Sequence, residues 1–314
     1  HVREAALTLQ QGGGVGMDFS SLRPAGAYVS GVAADASGPL SFMDVWDAMC
    51  RTIMSAGQRR GAMMGCLRID HPDIEAFIDA KRDAGRLRNF NLSVLVTNSF
   101  MTALEADADW PLVFEGRTVK VVRAAELWRL LMQATYDAAE PGVIFIDRVN
   151  AANNLGYCEQ ILASNPCGEQ MLPPYGACLL GSINLARLVR RPFEPVAQIE
   201  AAELGELTRT AVRMLDNVID ISRYPLPMQE AEAKAKRRIG LGARLRAYGL
   251  FKGGATQEAW RLATFLDQPV VILQQEDNAA CLGSDFLCAR MCRRIHGTAG
   301  QCGPCEQNKS CQYR

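Results

Sequence analysis

The sequence predicts an α/β fold with parallel strands. Two short runs, LSVLVT at 92–97 and GVIFID at 142–147, are rich in the apolar and β-branched residues that are typical of buried strands. Apolar residues recur at helical spacing in longer segments, as at 121–139 and 202–222. Strands that alternate with helices of about 10 to 20 residues indicate a parallel sheet covered by helices, so a barrel or a doubly wound sheet would satisfy the pattern.

The first elements are a glycine-rich segment, a helix and a loop. GGGVGMDFSSLRPAG at 12–26 indicates a strand edge that leads into a tight turn. A phosphate-binding loop is the less favoured interpretation, because the Lys-Ser/Thr ending of a P-loop is absent. Apolar side chains at helical spacing predict an amphipathic helix over 42–55. AGQRRGAMMG at 56–65 predicts a loop that carries Arg59 and Arg60 between small residues.

The later helices are marked by their boundaries and apolar faces. His71-Pro72-Asp73 predicts the start of a helix, because proline is favoured in a first turn. The helix predicted at 202–222 ends before Pro225, since the residue that precedes a proline avoids helical backbone angles. Its apolar stripe consists of Leu204, Leu207, Ala211, Leu215, Val218 and Ile219.

Charge and hydropathy exclude several classes of protein. The chain has 34 basic and 34 acidic side chains, so its overall charge indicates neither a nucleic-acid coat nor a partner on an anionic membrane. No apolar run approaches the roughly 20 residues of a membrane span, and no signal peptide opens the chain, so we expect a cytoplasmic protein. The opening HVREAALTLQ resembles the interior of a helix without a cap, and we expect the chain to be a fragment.

Cysteine usage divides the chain in two. Up to residue 280 we expect core or catalytic thiols rather than disulfides, with Cys50 and Cys66 in the core and the role of Cys158 open. Six of the 11 cysteines lie after residue 280. Cys302-Gly303-Pro304-Cys305 spells a redox motif, but no strand precedes it, so coincidence is the favoured interpretation. Zinc binding by Cys292, Cys302, Cys305 and Cys311 is a weaker alternative because the fourth ligand is badly spaced.

The segment SNPCGEQMLPPYGACLLGSINL at 164–185 carries the most informative chemistry. Asn165, Cys167 and Glu169 alternate, so their side chains would point to one side if the backbone were extended there. That arrangement would gather an amide, a thiol and a carboxylate. The alternative is a surface loop in which the cysteine is incidental.

This segment resembles the active-site finger loop, here residues 164–178, of ribonucleotide reductase large subunits, and is most similar to the adenosylcobalamin-dependent class. GGGVGMDFSSLRPAG, ASGPLSFMDVWDAM, QRRGAMMGCLRIDHPDIEAFIDAK, NLSVLVT, PGVIFIDRVNAANNLGYCE and AVRMLDNVIDISRYP resemble the same family in the same order. The resemblance covers about residues 1–242. It implies a ten-stranded α/β barrel, of which this chain supplies the first half and the finger loop.

The resemblance also implies a reaction, the reduction of ribonucleotides, expected as diphosphates, to 2′-deoxyribonucleotides. Cys167 matches the cysteine that carries the thiyl radical, and adenosylcobalamin would supply that radical. Glu169 matches the general base and Asn165 the amide that orients the substrate. Cys178 matches one member of the cysteine pair that provides two electrons. Its short separation from Cys167 is similar to that of the cobalamin class, and its partner is expected upstream of the glycine-rich strand.

Further partners follow from the same resemblance. The loops at 29–40 and 56–65 are similar to those that bind a deoxynucleoside triphosphate effector, so Arg59 and Arg60 would link the effector to the substrate base. A solvated pair of surface arginines is the alternative. A thioredoxin-like reductant and a homodimer are also expected.

The resemblance stops after KRRIGLG at 236–242. The abrupt change indicates a reading-frame shift or a degenerate end, which makes 243–314 an unmatched cysteine-rich tail. Two other functions stay open on sequence alone. One is an inactive nucleotide-binding remnant that keeps the effector loops, and the other is a metal-binding protein whose ligands lie in the tail.

Overall fold

The computed structural model of the chain describes residues 1–53, 61–82, 85–192, 194 and 196–244. Its helices, in chain order, are α1 Val2–Gln10, α2 Gly38–Thr52, α3 Ile74–Asp79, α4 Asn98–Glu105, α5 Ala124–Ala138, α6 Ile146–Ala151, α7 Ala201–Ile221 and α8 Pro227–Lys236, with one 3-10 turn at Leu185–Leu188. Its strands are β1 Val15–Asp18, β2 Tyr28–Val29, β3 Ala34–Asp35, β4 Met63–Arg68, β5 Phe90–Val96, β6 Asp109–Phe114, β7 Arg117–Arg123, β8 Gly142–Phe145, β9 Ala163–Ser164, β10 Met171–Leu172, β11 Leu179–Asn184, β12 Val189–Arg190, β13 Gln198–Ile199 and β14 Ile239–Arg244.

A four-stranded parallel sheet forms the centre of the fold. Its strand order is β1-β4-β5-β8, and every neighbouring pair is parallel. A second parallel pair, β11 and β14, places Leu179 opposite Ile239. The predicted α/β class with parallel strands is therefore confirmed.

The central strands are buried on both faces, as expected when helices cover one face of a parallel sheet and further chain covers the other. Alternate residues of β5, from Phe90 through Leu92 to Val94, pack with α2 to α5 in the main core. The opposite face of the sheet carries a smaller cluster built on Met64, Cys66, Leu95 and Ile144. Each fully buried apolar side chain of this size contributes about 1.5–3 kcal/mol to stability. Apolar packing on both faces thus holds the sheet in place against the surrounding chain.

The helix predictions are confirmed with shifted ends. The helix predicted over 42–55 is α2, and the one predicted over 202–222 is α7, although Leu207 of its predicted stripe is exposed. The segment 121–139 is helical only from Ala124, because 121–123 pair with β6 in a hairpin that the periodicity did not predict. None of the helices in the described ranges is both long enough and apolar enough to cross a bilayer.

Candidate active site

A tight hairpin carries the residues that the sequence singles out. β9 and β10 pair antiparallel, with Met171 opposite Ser164. Asn165 closes the connecting turn: its backbone N–H donates to the carbonyl of Gln170, and its side-chain Oδ1 accepts from the Gln170 N–H, both at 3.0 Å. The N–H of Gly168 donates to the Asn165 carbonyl at 3.1 Å. The turn is therefore fixed by its own polar groups.

The glycine-rich strand β1 forms the surface on which this hairpin lies. A Cβ placed on Gly16 would stand 1.6 Å from the carbonyl oxygen of Ser164, and one on Gly14 would stand 2.3 Å from Cγ of Pro166. Asn91 of β5 donates its Nδ2 to the Pro166 carbonyl at 2.7 Å. The predicted strand edge is β1, and Gly12, with φ +87°, lies in a turn before it. The close approach of the hairpin to Gly14 and Gly16 was not predicted from the sequence.

The turn places the three predicted side chains in different environments. Gly168 has φ +80°, a left-handed conformation that glycine adopts without strain, so the backbone bends between Cys167 and Glu169. The premise of an extended segment is therefore wrong, and strand alternation does not align these side chains. Cys167 is exposed, whereas Oε2 of Glu169 is buried without a hydrogen-bond partner among the described residues. A buried carboxylate oxygen in that state is suited to accept a hydrogen bond from a ligand.

Cys178 lies at the end of the finger loop, just before β11. It is partly buried and donates weakly from Sγ to the Leu179 carbonyl at 3.7 Å. Burial raises the pKa of its thiol to about 11, while the charge of Arg238 lowers it and that of Glu169 raises it. Cys178 therefore lies within electrostatic reach of both side chains.

Three further cysteines lie in the described region, two of which were predicted to be core residues. Cys50 and Cys66 are 3% and 0% exposed, which confirms their place in the core. Burial, with a contribution from Asp18, raises the pKa of Cys66 to about 12, so its thiol stays protonated and unreactive. Cys158, whose role was open, is exposed.

A cluster of four charged side chains near Cys178 was not predicted from the sequence. This ion cluster consists of Glu159, Glu232, Lys236 and Arg238. Glu159 forms ion pairs with Arg238 and with Lys236, the latter at 2.8 Å. Arg238 also forms an ion pair with Glu232, at 2.7 Å. Burial alone would raise the pKa of Glu159, but hydrogen bonds from Arg238, Lys236 and Asn153 outweigh it and bring the pKa to about 2. The sequence carried no local signal, because Glu159 is far along the chain from its partners.

Two predicted features fall outside the described residues. Arg59 and Arg60 lie in the segment 54–60, and the cysteine-rich tail lies beyond residue 244. The other loop proposed to bind the effector, residues 29–40, lies within the described ranges. It contains β3 and the end of β2, which pair antiparallel with Tyr28 opposite Asp35.

The chain is similar to ribonucleotide reductases. The family model for the ribonucleotide reductase barrel domain matches residues 1–256. A vitamin B12-dependent ribonucleoside-diphosphate reductase of Mycobacterium tuberculosis (strain CDC 1551 / Oshkosh) is 43% identical over 270 residues, which are 84% of this chain and 38% of the relative. The protein of the same name from Thermoplasma acidophilum is 36% identical over 283 residues, covering 89% of this chain and 36% of the relative.

A more distant relative extends the similarity to a second kind of reductase. The ribonucleoside-diphosphate reductase large subunit of Variola virus is 26% identical over 270 residues, covering 77% of this chain and 35% of the relative. The chain thus spans little more than a third of the length of the relatives it matches.

Proposed function

Because the chain belongs to the ribonucleotide reductase family, and its fold is part of that family's α/β barrel, we propose that it carries the catalytic finger loop of an adenosylcobalamin-dependent reductase. Its substrates would be ribonucleoside diphosphates and its products 2′-deoxyribonucleotides. The observation that supports this most is the hairpin packed on Gly14 and Gly16, which carries an exposed thiol and a buried carboxylate oxygen that has no hydrogen-bond partner among the described residues.

The side chains of the hairpin suit the steps of this reaction. Hydroxide leaves an unactivated carbon with difficulty, and a radical on the neighbouring 3′-carbon makes its loss far easier. The sulfur radical of Cys167 would take the 3′-hydrogen, forming an S–H bond and leaving the radical on carbon. Glu169 would accept the proton of the 3′-hydroxyl through Oε2, which has no hydrogen-bond partner among the described residues, while the 2′-hydroxyl takes a proton from a thiol of the cysteine pair and departs as water. Asn165 uses Oδ1 to close the turn, which leaves Nδ2 to donate to the substrate.

The exposed position of Cys167 fits a large cofactor. Its side chain is exposed, so a bulky group can approach it. Adenosylcobalamin, when bound, supplies a radical through homolysis of its cobalt–carbon bond. Among the described residues of the hairpin, the exposed Cys167 would meet it.

The proposal is tested in a chimaera in which residues 1–242 replace the matching part of the Mycobacterium tuberculosis reductase, which is 43% identical. We expect cobalamin-dependent turnover of ribonucleoside diphosphates. Glu169→Gln should slow it by about 10² to 10⁴, the contribution of a positioned base. Cys178→Ser should still release hydrogen from a 3′-tritiated substrate but give damaged products, because the intermediate lacks its reductant. An inactive chimaera, or full deoxynucleotide yield from Cys178→Ser, would contradict the assignment.

Effector binding is a separate proposal, supported by the similarity of the loops at 29–40 and 56–65 to family effector loops. Arginine suits this task because its planar guanidinium can form two parallel hydrogen bonds to a phosphate or a base edge. In the chimaera, replacing Arg59 and Arg60 by alanine should weaken the change in base preference that deoxynucleoside triphosphates cause, without abolishing turnover. Competition between two ribonucleotides with and without the effector measures this, and an unchanged preference would reject the assignment.

We also propose the partners and boundaries that the family implies. A thioredoxin-like dithiol would reduce the cysteine pair, the active form would be a homodimer, and a cytoplasmic location would keep the thiols reduced. The sequence predicts an end of the family-like part near residue 242, but the match to the family model continues to residue 256. We therefore propose that the residues of 243–314 beyond this match come from a frame shift or a degenerate end, and the other two frames of the coding DNA would reveal or exclude a family-like continuation.

A further inference from the structure

Cys178 and Arg238 are neighbours at the start of two parallel strands. Leu179 of β11 lies opposite Ile239 of β14, so the residues that precede them are adjacent in register. The Leu179 N–H donates to the Arg238 carbonyl at 3.2 Å, which ties the two backbones at this point. Both side chains line one small cavity, together with Ser222 and Tyr224.

The guanidinium of Arg238 is held in place by the carboxylates of Glu159 and Glu232, whose side chains are 6% and 20% exposed. Its Nη1 donates to Glu232 at 2.7 Å and its Nη2 donates to Glu159. The side chains of Arg238 and Glu159 are only 18% and 6% exposed, so this pair is poorly screened by water. With Lys236, the ion cluster contains two positive and two negative charges. Removing one member therefore leaves a net charge beside Cys178.

Few other charges of the described residues act on Cys178. Glu169 reaches it from the finger loop, and the Tyr224 phenol, which lines the same cavity, is tied to the Ile219 carbonyl at 3.4 Å. The adjacent Arg237 belongs to a different set, because its guanidinium binds Asp216 at 2.7 Å and Asp220 at 2.8 Å on α7. Arg237 is thus a matched control for Arg238.

We propose that Arg238 is a positioning residue that stabilises the thiolate of Cys178, and that Glu159 and Glu232 limit the strength of this effect because their negative charges offset that of the guanidinium. This inference rests on the proposed function, in which Cys178 forms a disulfide with a second cysteine during turnover. A dithiol reductant restores the pair in two steps. Its first thiolate attacks the partner sulfur, the S–S bond breaks, and Cys178 leaves with the electron pair and then takes a proton. The second thiolate of the reductant then breaks the mixed disulfide, which frees the partner cysteine and closes a disulfide in the reductant. A better stabilised thiolate leaves faster. Burial opposes that thiolate, so a nearby cation matters most here.

We expect two substitutions in the ion cluster to change the alkylation rate of Cys178 in opposite directions. The rate of alkylation of Cys178 by iodoacetamide follows its thiolate fraction, and peptide mass spectrometry separates it from the other cysteines of the purified chain. Between pH 8 and 10, Arg238→Gln should slow this alkylation about tenfold. This corresponds to a shift of the alkylation rate's pH profile by about one unit to higher pH. Glu159→Gln should accelerate it, because one anion is lost while both cations stay. Arg238→Lys should keep the rate within about threefold of the native chain, because lysine retains the positive charge.

The controls separate electrostatics from misfolding. Arg237→Gln should leave the alkylation profile of Cys178 unchanged. Unfolding would expose Cys178 and accelerate its alkylation in every variant, so the slower reaction expected of Arg238→Gln cannot arise that way. A native rate in Arg238→Gln, or a slower one in Glu159→Gln, would overturn the inference. The assay needs no turnover, so this failure is distinct from that of the proposed function, which would appear as normal deoxynucleotide yield from Cys178→Ser.

Discussion

Replacing Gly16 by alanine is expected to displace the finger loop and to reduce turnover of the chimaera by about 10²-fold or more, since a shift of about 1 Å at a reacting group can cost that much. The added Cβ would lie 1.6 Å from the Ser164 carbonyl oxygen, and that neighbour is backbone, which cannot rotate away. The hairpin would have to move as a unit, carrying Cys167 with it. Overpacking of this kind also costs about 1–3 kcal/mol of stability, which thermal unfolding would report.

Gly205 of α7 is the matched control for this substitution. A Cβ on Gly205 would meet only Nη2 of Arg209, at 3.8 Å, which is an ordinary contact. Gly205→Ala should therefore leave turnover unchanged and should not lower the unfolding temperature. Native activity in Gly16→Ala would show that the hairpin does not need its close contact with β1.

The fold class was predictable because its determinants are local. Buried strands such as β5 consist of consecutive apolar residues, and helices such as α5 show an apolar face, so both leave a pattern in the sequence. The hairpin of β6 and β7 left none, because most of β7 is exposed and its residues follow no burial rule. Its turn uses Glu115 and Gly116, both with positive φ, and only the glycine indicates this in the sequence.

The candidate site was predictable only where its residues are close in the chain. Asn165, Cys167, Glu169 and Cys178 fall in one segment that resembles a known family, so they could be proposed together. The support of the hairpin by Gly16 could not be predicted, because glycine is compatible with a turn, a strand or a close approach. Arg238 and Glu159 meet only through the pairing of β14 with β11 and the position of the loop after α6. Such contacts depend on tertiary packing and leave no periodic pattern.

Replacing Cys167 by serine should abolish deoxynucleotide formation in the chimaera, which is the largest effect expected of any substitution in the chain. An alkoxyl radical would have to form from an O–H bond much stronger than the S–H bond, so serine cannot replace the hydrogen-abstracting sulfur. The substitution changes only one atom at an exposed position, so the hairpin should keep its structure and stability. Loss of activity would then come from chemistry rather than from misfolding.

The decisive measurement is the release of tritium from substrate labelled at the 3′-carbon, because this reports the first abstraction and not the later reduction. The unaltered chimaera should return most of the label to the 3′-carbon of its product, Cys178→Ser should release it because the intermediate decays before that return, and Cys167→Ser should leave the label in unreacted substrate. Cys158→Ser is the matched control, since this thiol is also exposed but lies outside the hairpin. It should behave as the unaltered chimaera does. Release of label by Cys167→Ser would show that another group abstracts the hydrogen, and the role proposed for the finger loop would be rejected.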